Sequence, residues 1–277
     1  MSKTSLTLPA LASTSRRQPL RLALSPAFKR ALLGLALPLG LLAALELASQ
    51  LGWYRSNLLP PPSELLGTLA ELWRQGLLKH LVASTLRVAV GFAIGTAAGM
   101  VLGGLVGLSR RAEALLDPSV QAIRAIPSLA WVPLLLLWLG IDEAPKIVLI
   151  ALGAFFPVYL GLVAGIRDVD RRWVELGTIY GLHGWPLVRR ILLPASLPAL
   201  FTGLRGGLGL AWMFMVAAEL IAATKGLGYL LTDGRETSRP DIVLTAIVLL
   251  ALLGKLSDGI LKALERRQLA WRDSFKA

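Results

Sequence analysis

Side chains that usually carry catalysis are scarce in this sequence. Its 277 residues include no cysteine and only two histidines, His80 and His183. These counts exclude disulfides, thiolate metal sites, a cysteine nucleophile and a histidine-rich metal centre, and no Ser/His/Asp set is placed for acyl transfer. The pair Gly254-Lys255 lacks the earlier glycine and the following hydroxyl residue of an ATP-binding phosphate loop. We therefore expect no catalytic residues and no metal or cofactor bound by this chain itself.

Charged residues within long apolar segments are the remaining candidates for function, because a charge there is costly and is usually retained for a reason. Arg205 and Glu219 lie on one predicted helix and are candidates for a pathway that carries an anion. For Arg205, a structural contact with carbonyl groups or a neighbouring acid is the favoured alternative. Lys255 and Asp258 lie three residues apart, a helical spacing at which they could pair with each other; a structural pair of this kind or an interfacial position is favoured over a direct role in function.

The composition indicates that lipid covers much of this protein. Apolar residues make up 55% of the chain, charged residues 17%, and the mean hydropathy is +0.64, whereas a soluble domain carries about 25% charge. A helix needs about 20 apolar residues to cross a bilayer. We therefore predict an all-α integral membrane protein with a basic tail (1–29), a six-span domain (30–264) and a C-terminal tail (265–277). The predicted spans are 31–54, 88–109, 120–141, 147–166, 195–223 and 242–264.

The distribution of basic residues predicts the orientation. Most of the net charge of +12 falls before the first span, in alternate loops and after the last span, so both termini and these loops are expected in the cytoplasm. Topology thus accounts for the charge without a nucleic-acid partner. A cleaved signal peptide within 16–50 is an alternative, but the apolar stretch is long and ends in the interfacial anchors Trp53 and Tyr54.

A regular glycine pattern marks the second predicted span. Glycines recur every four residues, which places them in one stripe on a helix and allows another helix backbone to approach closely. Intramolecular packing is the favoured interpretation over a contact between two copies. The stripe consists of Gly91, Gly95, Gly99, Gly103 and Gly107.

The segment 168–194 is expected to carry a docking surface for another protein. Trp173, Leu176 and Tyr180 follow a helical spacing, and Gly181 can end that helix in a left-handed turn. A second short helical piece is predicted to start near Pro186. Two short helices with exposed aromatic residues, on a cytoplasmic loop of a membrane protein, are suited to bind a partner.

This segment resembles the cytoplasmic signature of binding-protein-dependent ABC import permeases, which is Glu-Ala-Ala, three residues, Gly, nine residues, then Ile-x-Leu-Pro. Every spacing is kept, but Leu-Gly replaces Ala-Ala. The matching residues are Glu175, Leu176, Gly177, Gly181, Ile191, Leu193 and Pro194. The likeness extends from about residue 30 to the C-terminus, with matching runs at 107–121, 124–147 and 218–258, and it is closest to the aliphatic sulfonate members of the sulfonate, taurine and nitrate branch.

The resemblance implies a type I ABC importer permease fold, a bacterial inner-membrane location and a homodimer. It also implies that the loop is the coupling helix for cytoplasmic ATPase subunits, which bind ATP and Mg, and that an extracytoplasmic binding protein delivers the substrate. Aliphatic sulfonates are the expected substrates, with taurine, nitrate or a heterocyclic vitamin precursor as alternatives.

Two other classes of protein are considered. An ion-coupled secondary transporter would need acids such as Glu46 and Glu219 in its core and usually inverted repeats, of which we find none. An integral-membrane enzyme would need a catalytic set, which is missing.

Overall fold

The computed structural model describes residues 26–54 and 58–271, in which helices form and no β-strand occurs. Most of the basic tail lies outside these residues. A 3₁₀ turn (Ser128–Trp131) precedes α5, and a π turn (Val188–Leu192) joins α8 to α9. The helices are α1 (Pro26–Gln50), α2 (Pro62–Gln75), α3 (Leu77–Leu108), α4 (Arg110–Ala125), α5 (Val132–Leu139), α6 (Glu143–Arg167), α7 (Arg171–Ile179), α8 (Trp185–Leu187), α9 (Leu193–Ala222), α10 (Leu227–Glu236) and α11 (Pro240–Gln268).

Within the described residues, four helical segments are long and apolar enough to cross a bilayer. They are α3, α6, the continuous segment Trp185–Ile221 and α11. A fifth candidate is α4 together with Ser128–Leu139, and the shorter apolar segment Ala36–Gln50 lies in α1. The prediction of an all-helical protein with several apolar helices is therefore confirmed, whereas six spans and cytoplasmic termini stay predictions.

Two predicted segments differ in detail from the helices. The predicted span 88–109 lies in a longer helix, α3, which begins at Leu77 and includes Lys79 and Arg87. The segment predicted over 120–141 is bent by 88°. Its first helix, α4, ends at Ala125, and the next residue, Ile126, is extended (φ −78°, ψ 124°), as expected for a residue that precedes a proline.

The core is a sandwich of α3, α6 and α9, with α6 in the middle. On one side of α6, a Cβ at Gly95 would collide with the Ala151 carbonyl oxygen, and a Cβ at Gly103 would lie 3.0 Å from the Tyr159 carbonyl oxygen. On the other side, a Cβ at Gly207 would lie 2.9 Å from the Ala154 carbonyl oxygen. The whole stripe of five glycines on α3 faces α6, so these helices contact each other backbone to backbone.

A second layer, formed by α2, α10 and α11, packs against one end of this core. Leu72, Leu77, Leu227, Leu230, Ile242 and Ala246 form its apolar centre. Arg239 binds Glu71 with two hydrogen bonds of 2.8 and 2.9 Å, and these bonds hold the pKa of Glu71 below its usual range. Glu46 of α1 accepts hydrogen bonds from the amide and the hydroxyl of Ser63 in the first turn of α2.

Candidate functional site

The first helix of the 168–194 loop, α7, has well-defined ends. The Asp170 carboxylate accepts a hydrogen bond from the Arg172 amide (2.9 Å) and caps the start of the helix. At its other end, the amides of Gly181 and Leu182 donate to the carbonyl oxygens of Thr178 and Gly177, which is a Schellman motif. Gly181 has φ +74°, so the prediction that it ends the helix in a left-handed turn is confirmed.

The second part of the loop runs directly into α9. Gly184 turns the chain, Trp185–Leu187 form a short helix, and the π turn then continues without a break into Leu193. Pro194 is the second residue of α9, directly after the π turn. Because α9 has 30 residues, it extends for about 45 Å. A displacement of the loop would thus be transmitted along a continuous helix.

The two halves of the signature are in contact. Gly177 is buried, and a Cβ there would collide with the end of the Ile191 side chain and lie 2.7 Å from Leu187 Cδ1. Glu175 is exposed and pairs with Arg171 at 3.1 Å. Leu193 is half-buried where α9 begins.

Large apolar side chains are exposed on this loop. The exposed fractions are 58% for Trp173, 80% for Ile179, 77% for Tyr180 and 66% for Trp185. Beside them lies a cavity of about 730 Å³ between α7, the beginning of α9 and Trp271. A surface of this kind is typical of a protein-binding site.

A buried polar network lies at the opposite end of the core. Arg87 of α3 is 4% exposed and Glu219 of α9 is 1% exposed. The Arg87 guanidinium donates to Glu219 Oε1 (2.7 Å), to the Lys225 carbonyl oxygen (2.7 Å) and, through two hydrogen bonds of 2.6 Å, to Glu143 at the start of α6. One guanidinium therefore joins the ends of three core helices and the segment that leads into α10.

Glu219 has hydrogen-bond partners at both oxygens. The Ser84 hydroxyl lies 2.8 and 2.9 Å from them, and the Gly228 amide donates to Oε2 at 2.8 Å. Both oxygens are thus engaged within the protein. The proposed place of Glu219 in a substrate pathway stays a prediction.

Sequence reasoning missed Arg87 and Glu143, because both lie next to the predicted boundaries of apolar segments. A usable signal was present in α3. His80, Ser84 and Arg87 are spaced by four and three residues and continue the same helix face as the glycine stripe that starts at Gly91.

Arg205 has acidic partners on α11. It donates to Asp258 at 2.9 and 3.2 Å and lies 3.7 Å from Glu265. Asp258 therefore pairs with Arg205 and not, as expected from spacing, with Lys255. This geometry supplies the neighbouring acid of the structural alternative for Arg205, and its role in a pathway stays a prediction.

Within 26–54 and 58–271, no group of three or more histidine, aspartate or glutamate side chains is arranged to hold a metal ion.

Comparison with known proteins identifies relatives along most of the chain. Residues 79–269 match the family described as "Binding-protein-dependent transport system inner membrane component". The chain is 44% identical to an aliphatic sulfonates transport permease protein of Escherichia coli (strain K12) over 245 residues, 86% of this chain and 91% of the relative. Its identity to the protein of that description from Bacillus subtilis (strain 168) is 41% over 244 residues, 88% of each. The taurine transport system permease protein of Escherichia coli (strain K12) is 36% identical over 224 residues, 77% of this chain and 80% of the relative.

Proposed function

This chain belongs to the family of binding-protein-dependent transport system inner membrane components, and from that premise we propose that it is the membrane-spanning permease subunit of an ATP-driven ABC importer for aliphatic sulfonates. In this proposal two copies enclose the pathway. Two cytoplasmic ATPase subunits bind ATP and Mg and dock on the 168–194 loops, and an extracytoplasmic binding protein delivers the substrate. The permease itself catalyses no reaction.

The observation that carries this proposal is the structure of the 168–194 loop. It presents exposed aromatic residues on α7 and α8, and it continues through the π turn into α9. A partner that moves the loop would therefore displace a helix that runs through the core. Such a connection between a docking surface and the core supports a role in coupling the ATPase to the transport helices. A secondary transporter, which is driven by an ion gradient, has no evident use for it.

The orientation follows from the same loop. If 168–194 faces the cytoplasm, both termini are cytoplasmic and the Arg87–Glu219 network lies at the extracytoplasmic end. The excess of basic residues in the loops on the side of 168–194 supports this orientation. The bacterial inner membrane is the corresponding location.

The substrate assignment depends on the relatives. Both proteins described as aliphatic sulfonates permeases are more similar to this chain than the taurine permease is. We therefore place aliphatic sulfonates first and taurine second. Nitrate and a heterocyclic vitamin precursor remain further alternatives within the family.

Growth of a deletion strain on single sulfur sources tests the proposal. We expect loss of growth on a short alkanesulfonate, with normal growth on sulfate, on taurine and on nitrate as nitrogen source. If growth fails only on taurine or only on nitrate, the proposal of a permease stands and aliphatic sulfonates are rejected as its substrate. Uptake by vesicles that lack nucleotide, driven by an ion gradient alone, would reject the ATP-driven mechanism.

A further inference from the structure

The start of α10 is held by side chains of α3 and α9 through its backbone. Four backbone groups take part: the Lys225 carbonyl accepts from Arg87, the Gly226 amide lies 3.2 Å from His80 Nδ1, and the amides of Leu227 and Gly228 donate to Ser84 Oγ and Glu219 Oε2, both at 2.8 Å. We call His80, Ser84, Arg87, Glu219 and the backbone of 225–228 the polar clasp.

The polar clasp leaves no space for side chains at two positions. A Cβ at Gly226 would collide with the Glu219 carboxylate, and a Cβ at Gly228 would lie 2.6 Å from Glu219 Cβ. Gly226 also has φ +133°, a backbone conformation that residues other than glycine rarely adopt. The segment therefore fits against Glu219 in one arrangement, and Leu227 is fully buried.

The interactions of the clasp differ in kind from those that hold the core. The contacts of α3 and α9 with α6 are close backbone packing along the glycines. In the clasp, the side chains hold the backbone of 225–228 through hydrogen bonds, and Arg87 also pairs with Glu143, whose side chain is 43% exposed. Moving the Arg87–Glu219 pair into water would cost little net free energy, because the desolvation cost of a buried ion pair largely offsets its attraction.

A partly broken clasp, in contrast, is unfavourable. Separation of Glu219 from Arg87 without hydration would leave a buried charge without its partner, which is strongly destabilising. The closed arrangement and a fully hydrated one are therefore the two that leave no buried charge without a partner. An element with two arrangements is what a conformational switch requires.

We propose that the polar clasp is a latch at the extracytoplasmic end of the permease, closed in the resting protein and opened during transport. This inference rests on the proposed function, because that function supplies the orientation and the transport cycle. Arg87 and Glu219 act as positioning residues in the latch. Opening the latch separates the start of α10 from α3 and exposes Leu227 to extracytoplasmic water.

The absence of cysteine from the sequence allows a direct test by thiol labelling in intact cells. We would label the Leu227→Cys variant with a membrane-impermeant maleimide, in energised cells with and without an alkanesulfonate. The Thr237→Cys variant, at an exposed position just after α10, is the reference. In resting cells we expect labelling at position 227 to be at least about tenfold slower than at 237, since minor states of this kind are populated at about 0.1–10%. Substrate should accelerate it.

Three further variants test whether the latch causes the protection. Arg87→Gln should accelerate labelling at 227 without substrate, because it leaves Glu219 buried without its cation. Glu219→Gln should accelerate labelling at 227 less, because Arg87 still pairs with Glu143 in that variant. Arg239→Gln is the matched control: it removes an arginine that also binds two acids, Glu71 and Asp241, but lies outside the clasp, and labelling should stay slow.

The outcomes separate this inference from the proposed function. If the maleimide does not label the Thr237→Cys variant from outside the cell, the proposed orientation is rejected. Rapid labelling at 227 in resting cells, or a rate that substrate leaves unchanged, would overturn the latch. If the Leu227→Cys variant does not fold, hydrogen exchange of the amides of Gly226, Leu227 and Gly228 replaces it. Slow exchange in the wild type and at least about tenfold faster exchange in Arg87→Gln is expected, and equal exchange in both proteins would overturn the proposal.

Discussion

Gly177 and Ile191 are in contact within the 168–194 loop, although they belong to different helical segments. A Cβ at Gly177 would meet only the ends of the Ile191 and Leu187 side chains. This contact lies at the position where the family signature has alanine and this chain has Gly177. With these two branched side chains above α7, glycine allows the helix to pack closely against the start of the next segment.

The first prediction concerns this contact. Gly177→Ala should change the free energy of unfolding by less than about 1 kcal/mol, because the gain in helix propensity offsets a small shift of two flexible side chains. Gly177→Leu should cost about 1–3 kcal/mol through overpacking and should displace α7. Thermal unfolding in detergent and alkanesulfonate uptake at matched expression are the measurements. Uptake by Gly177→Leu equal to that of Gly177→Ala would contradict the importance of this contact.

The second prediction concerns Gly181. Nothing lies within 4 Å of a Cβ at this position, but its φ is +74°, so a substitution changes only the backbone conformation. Gly181→Val should strain the turn by about 1–2 kcal/mol and should block or uncouple transport without loss of the membrane fold. Gly181→Asn is the control, because asparagine tolerates the left-handed region better. The prediction fails if Gly181→Val transports normally at normal expression.

The sequence predicts features that depend on local spacing well. A period of four residues predicts the glycine stripe at Gly91 to Gly107, and the stripe faces α6 in the structure. Gly181 was recognised because a helix end needs a residue that tolerates positive φ. The apolar runs identify the long helices. The bend before Pro127, however, changes the direction of one predicted span by 88°, and the hydropathy of a segment does not show whether its helix is bent.

Contacts between distant residues could not be predicted in the same way. Arg87 joins Glu143 and Glu219, which lie 56 and 132 positions away, and nothing in the spacing of one helix identifies such partners. Local spacing even favoured a wrong pair. Lys255 and Asp258 have a helical spacing, yet the carboxylate binds Arg205 on another helix, where the guanidinium forms two hydrogen bonds with it.

The third prediction tests the packing of α3 against α6. Gly95→Ala should destabilise the protein by about 1–3 kcal/mol, because the added methyl group collides with the backbone carbonyl of Ala151 and forces the helices apart. Gly104→Ala is the matched control on the same helix, since its Cβ would lie 3.9 Å from Leu162 Cδ2, an ordinary contact. Thermal unfolding in detergent distinguishes them, and equal stability of both variants would contradict the close backbone approach.

The fourth prediction concerns the pH dependence of the Glu71–Arg239 contact. The hydrogen bonds from Arg239 lower the pKa of Glu71 from 4.5, so this carboxylate contributes stability above its unfolded pKa and loses it as the pH falls through the lower, folded value. The difference in melting temperature between wild type and Glu71→Gln should therefore stay constant from neutral pH to about 4.5 and shrink only below it. A difference that disappears already above pH 5 would contradict the contact.

The last prediction separates the two roles considered for Arg205. If the residue is structural, Arg205→Gln should reduce uptake because Asp258 and Glu265 then lose the guanidinium that they share, and Arg205→Gln/Asp258→Asn should restore much of it by removing one of the two negative charges. If Arg205 binds the passing anion, the double variant should be as impaired as the single one, because neither restores the guanidinium. The geometry favours restoration, since the guanidinium is already shared by two carboxylates. Initial uptake rates at several alkanesulfonate concentrations, at matched expression, decide between the two roles, and the Asp258→Asn single variant serves as the control for the acid alone.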